Sequence, residues 1–68
     1  MSKHPHLAAR LRAARLAANL KQSDLAERVG CCITALSHWE TGRREPNAVN
    51  LVALCGALGV TTDSILLP

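Results

Sequence analysis

No stretch of this 68-residue chain approaches the roughly 20 consecutive apolar residues needed to cross a bilayer. The longest candidate, Leu51 to Val60, is too short and is interrupted by Gly56 and Gly59. The N-terminus shows no apolar core of the kind a secretory signal carries, so neither membrane nor export is expected. Cysteine is scarce and oddly placed. Cys31, Cys32 and Cys55 are an odd number with two adjacent, which argues against a disulfide scaffold and for reduced thiols in the cytoplasm. Cysteine pairs at metal-site spacing such as C-x2-C are also missing, and adjacent Cys31 and Cys32 with His38 nearby do not have that pattern. His4 and His6, flanking Pro5, read as solvated side chains of a frayed start. Neither metal nor cofactor is expected.

Enzymatic equipment is lacking too. No acid/base pair with a pocket or phosphate-binding loop is recognisable, and so short a chain has little to enclose a substrate, so an enzyme is not expected. A domain of this size buries only about 60% of the surface its unfolded chain exposes, so association with a second copy is a natural support. Eight Lys and Arg against five Asp and Glu give a net charge of +3, concentrated at Arg10, Arg12, Arg15 and at Arg43, Arg44. A polyanionic partner suits that balance, although so modest a charge adds little by itself.

What is present is helical periodicity. Leu7, Leu11, Ala14 and Ala18 recur at helical spacing, predicting a first helix from Leu7 to about Ala18 that stops at Asn19. Residues 22–29 form a short amphipathic stretch with Leu25, Ala26 and Val29 inward, closed by Gly30. Residues 33–40 form another, with Leu36 and Trp39 on one face, closed at Thr41 and Gly42. Asn47 can cap a fourth helix with Leu51, Leu54, Cys55 and Leu58 inside, ending at Gly59, and Thr61 or Thr62 can cap a last turn through Leu66. Strand alternation, repeats and low-complexity tracts are absent. The expected fold is all-α, five short helices, with residues 1–6 as a flexible tail and 7–67 as the domain.

Two short helices joined by a tight Gly-containing turn can set a second helix into a DNA major groove. Residues 22–30, QSDLAERVG, with Leu36-Ser37-His38-Trp39-Glu40-Thr41-Gly42 and Pro46, resemble the phage repressor and Cro family of helix-turn-helix domains, the XRE family. Leu11 and Arg15 before them, and Leu51, Leu54, Leu58-Gly59-Val60 and Ile65-Leu66 after, extend the likeness over about residues 7–67. The resemblance implies a lambda-repressor-like fold and a sequence-specific transcriptional regulator, expected to be a repressor bound as a homodimer to a palindromic operator.

Residue by residue, the resemblance places Ile33, Thr34, Ser37 and His38 at base edges. Ile33 and Thr34 can touch a thymine methyl, and His38 can donate to guanine or phosphate. Gln22 matches a phosphate-binding glutamine, and Lys21, Cys32, Thr41, Arg43 and Arg44 complete the expected phosphate set. Arg15 and Glu40 match a pair tying the first helix to the end of the recognition helix. The chain departs from the family at Lys21 and Cys32, where small capping residues are usual, so a weak cap is expected on the third helix. Arg10 and Arg12 are assigned to a solvated face, and Trp39, Cys31 and Cys55 to packing. Cys32, the exposed thiol, could serve as a redox switch beside DNA.

In the fourth helix, Val49, Ala53 and Gly56 repeat at i, i+4, i+7 where the family is polar. With Leu67 they are expected to form a homodimer surface. The rival function is a protein-binding module on the same fold, an antitoxin-like partner using that stripe.

Overall fold

The computed structural model describes His4 and residues 6–66. Five helices follow in chain order: α1 Leu7–Ala17, α2 Gln22–Val29, α3 Ile33–Thr41, α4 Ala48–Leu58 and α5 Thr62–Leu66. No strand occurs among the described residues. Expected and observed boundaries agree to about a residue; α3 keeps Thr41, and α1 ends at Ala17.

The helix ends explain that agreement. Asn19 takes a positive φ of 58°, the Asn19 N–H donates to the Leu16 carbonyl and the Leu20 N–H to the Arg15 carbonyl. These are the two bonds of a Schellman closure, and asparagine tolerates the left-handed conformation it needs. Gly30, at φ 81°, also closes α2 in the left-handed conformation, but here the Gly30 and Cys31 N–H groups both donate to Ala26 O. A residue with a Cβ would be strained at that φ, which is why glycine starts the turn into α3.

The core consists of two clusters. Leu11 of α1, Leu25 and Ala26 of α2, Leu36 and Trp39 of α3 and Leu54 of α4 are buried together. Leu7, Cys55 and Ile65 form a second cluster that fastens α5 to α1 and α4. α1 lies against α3, and α2 against both α3 and α4, so the pair α2–α3 is held from behind.

Leu51 and Leu58 of α4, expected inside, pack against the core but are only half-buried, and three further assignments shift at helix ends. Val29 is only half-buried at the edge of the core, Cys31 is likewise half-buried, and Ala18 is exposed beyond the end of α1. Each sits at a helix terminus, where the neighbouring turn no longer covers it. The start of the chain also takes part in the fold: the Leu7 N–H donates to His4 O at 3.0 Å, and the His4 N–H to Glu45 Oε2 at 3.3 Å. Both described histidines there have exposed side chains.

Candidate nucleic-acid interface

α3 divides into two faces because its inward residues fall at positions 36, 39 and 40. Of the other positions, Ala35 flanks the core, while Thr34, Ser37, His38 and Thr41 recur at helical spacing along the opposite side. Thr34 and Thr41 are exposed, Ser37 and His38 half-buried, and Ile33 at the N-terminal end is 49% exposed despite being apolar. The four residues expected to read bases therefore share one accessible side. Cys32, Thr34, His38 and Arg44 also line one shallow depression between α3 and the loop that follows it.

The N-terminus of α3 carries no side-chain cap: Cys32 has extended backbone (φ −82°, ψ 155°) and makes no capping hydrogen bond. The expected weak cap is thus what the structure contains. α2 is capped from the other direction, since the Lys21 N–H donates to Asp24 Oδ2 at 3.1 Å while the Lys21 side chain stays exposed. Arg43 and Arg44 follow α3 on an exposed loop, and their main-chain N–H groups both donate to His38 O. The loop is thereby tied to the end of the helix that carries His38.

The opposite end of α3 is locked. Arg15 Nε donates to Glu40 Oε2 at 2.8 Å and Nη2 to Glu40 Oε1 at 3.0 Å, both residues being buried. Arg15 Nη1 donates to Leu20 O at 2.8 Å, so the guanidinium is fixed by three bonds across α1, its closing turn and α3. No buried side-chain nitrogen or oxygen among the described residues lacks a partner. A planar guanidinium matches a carboxylate with two parallel bonds, which sets the rotation of α3 as well as its position. The pair inferred from sequence is thus formed.

Two expected phosphate ligands have bonds the sequence did not indicate. Gln22 Nε2 donates to Glu40 Oε1 at 3.2 Å, leaving one amide N–H for anything else. Thr41 Oγ1 donates to Ser37 O at 2.9 Å, so its hydroxyl would have to turn to donate to a phosphate.

The proposed association surface lies elsewhere, on α4. Val49 is 77% exposed, Gly56 is exposed and Ala53 half-buried. Leu67 lies outside the described residues. Sequence reasoning missed Val52, 64% exposed and three positions from Val49, although its helical spacing to Val49 was there to be read. α4 contains no charged residue at all. The thiols divide as expected by accessibility: Cys55 buried, Cys32 exposed. Burial pushes the Cys55 thiol up, and the Cys31 thiol too, where neighbouring Cys32 adds to the rise against a backbone hydrogen bond that lowers it. Among the described residues no cluster of three or more His, Cys, Asp or Glu could hold a metal, and no helix is long and apolar enough to cross a membrane.

Comparison with known proteins follows the same geometry. The helix-turn-helix domain family matches residues 6–65. The chain is 40% identical over 57 residues to Repressor protein C2 of Salmonella phage P22, covering 84% of this chain and 26% of that one. It is 37% identical over 57 residues to the HTH-type transcriptional activator BcrR of Enterococcus faecalis, covering 84% and 28%. It thus spans about a quarter of the length of these curated relatives. The P22 c2 repressor solved in complex with a synthetic operator superposes with a TM-score of 0.85 at 38% identity, over 90% of this chain and 92% of that one. The restriction-modification controller protein C.AhdI from Aeromonas hydrophila gives 0.84 at 30% identity, over 88% and 91%.

Proposed function

The chain belongs to the helix-turn-helix domain family, in the form found in phage repressors, and from that premise we propose that it is a sequence-specific double-stranded DNA-binding regulator of transcription. One observation carries the reading: α3 presents Thr34, Ser37, His38 and Ile33 outward while a buried arginine–glutamate pair fixes its rotation from behind. A helix that reads base edges must hold its side chains in register with the groove, and rigid anchoring of its far side supplies that.

In this reading Ile33, Thr34, Ser37 and His38 contact bases. Arg43, Arg44, Lys21 and Gln22 contact phosphates, with Cys32 and Thr41 at the margins. Two copies associate through α4, using Val49, Ala53, Gly56 and the missed Val52, and set their recognition helices in successive major grooves about 34 Å apart. Occupancy of such an operator in the cytoplasm represses by excluding polymerase. The P22 relative, at 40% identity, is named a repressor, and the Enterococcus faecalis relative, at 37%, an activator.

The test is selection of duplexes from a random pool, followed by a salt titration on the winners. An enriched inverted repeat is expected, with affinity falling steeply in salt. The Thr34→Ala, His38→Ala double variant should lose discrimination, each base contact contributing about 1–3 kcal/mol. Failure to enrich any sequence at low salt overturns the reading. It would leave the protein-binding module, for which the uncharged and exposed face of α4 is the specific support.

A further inference from the structure

We propose that Glu40, besides anchoring α3, is a positioning residue for Gln22: its carboxylate fixes the Gln22 amide so that the amide nitrogen, and not the oxygen, is presented to a DNA phosphate. The inference rests on the DNA-binding reading above.

The physical argument starts with the amide itself. The terminal torsion of a glutamine is broad and roughly two-fold, so an unheld side chain shows its nitrogen and its oxygen to a neighbour about equally. Phosphate oxygens only accept hydrogen bonds, so just one of the two faces is productive. Carboxylate oxygens also only accept, which means that the atom 3.2 Å from Glu40 Oε1 is the nitrogen. One of its two N–H groups is consumed there, and the other projects from the same nitrogen.

Glu40 is itself held in place by burial and hydrogen bonds. It is 6% exposed and accepts from Arg15 Nε and Nη2, and Arg15 is held in turn by its bond to Leu20 O. The chain of bonds runs from the closing turn of α1 through α3 to the first residue of α2. Gln22 thus arrives at a phosphate already ordered, so the entropy normally lost when binding immobilises such a side chain is not lost at that step. A purely structural role for Glu40 would need only the Arg15 bonds.

The experiment is a thermodynamic cycle on the tightest duplex recovered from selection. Its background variant, Arg15→Met with Glu40→Met, removes both buried charges together. Such apolar replacement of a buried pair commonly leaves the fold intact. Gln22→Ala should weaken binding about tenfold in the native protein, as expected for a hydrogen bond to a charged group. In the Met/Met background the same change should cost about threefold or less. Equal losses in both backgrounds overturn the positioning role while leaving DNA binding standing.

Nuclear magnetic resonance of the DNA-free native protein gives an independent reading should the Met/Met variant fail to fold. One Gln22 side-chain amide proton shifted from the position of a free primary amide and exchanging slowly with water is expected; two protons at free-amide positions, both exchanging rapidly, overturn the proposal. If the native protein binds no duplex, the functional reading fails and takes this inference with it, and the amide bond is then a feature of the fold alone.

Discussion

α3 and α4 are similar in length and solve opposite problems. α3 exposes mostly polar side chains, lacks a side-chain cap at its N-terminus and is held at the far end by the buried Glu40. α4 is capped at its N-terminus, where the Asn50 N–H donates to Asn47 Oδ1 at 2.8 Å, yet leaves Val49 and Val52 in solvent. One helix is positioned by tertiary bonds so that its surface can be spent on recognition. The other is capped by its own sequence and carries an apolar face that a single copy does not cover. A helix without charge is ordinarily buried all round, and α4 is buried on one side only.

The largest test of that contrast is to cut the anchor of α3. Arg15→Met alone leaves Glu40 as an uncompensated buried carboxylate and should cost about 3–5 kcal/mol in urea unfolding. The paired change with Glu40→Met should recover most of it. Equal stability of the single and double variants would mean that the pair is not what holds α3.

Next in size is the exposed face of α4. Val49→Glu with Val52→Glu should weaken self-association by at least about 1.4 kcal/mol, a factor of ten, giving monomers in sedimentation at micromolar concentration. The stability of each monomer should change little because both sites are solvent-exposed. An unchanged sedimentation mass would return that face to ordinary scattered surface.

The two caps should respond with opposite signs. Asn47→Ala removes a capping bond and should cost α4 about 1 kcal/mol, whereas Cys32→Ser supplies one to α3 and should stabilise it by about 0.5–1 kcal/mol. Thermal melts of the two variants bear directly on the asymmetry.

The thiols give the smallest effect. Burial holds the Cys55 and Cys31 thiols above their ordinary value of 9.0, so the folded state retains protons that the unfolded state releases. Their contribution is therefore fully present below about pH 9.0 and is lost as pH rises through the folded values. Unfolding midpoints should fall above that pH, and Cys55→Ala should flatten part of the slope. At neutral pH a maleimide should label exposed Cys32 first; prior labelling of Cys55 would show that α4 opens.

The helices and their ends were legible in the sequence because they depend on near neighbours. Leucines at helical spacing, Asn19, Gly30, Gly42 and Gly59 at the stops, and Asn47 at a start act within a turn of themselves. Even the Arg15–Glu40 pair was reachable, though only through resemblance to a family, since nothing in the spacing of residues 25 positions apart requires contact.

Other features needed the packed chain. Gln22 looked like a free phosphate ligand and is hydrogen-bonded to Glu40; Thr41 donates to its own helix; Val29 and Ala18 fall at termini that neighbours leave uncovered. Val52 joins Val49 in solvent because α2 and α5 cover only the other side of α4. Five helices and their stops can be read along the chain because periodicity and capping are local, while the outward set of α3 came through the family resemblance. Which polar groups are already satisfied and which apolar ones stay exposed emerges only on packing, because those properties belong to pairs of surfaces brought together from distant parts of the chain.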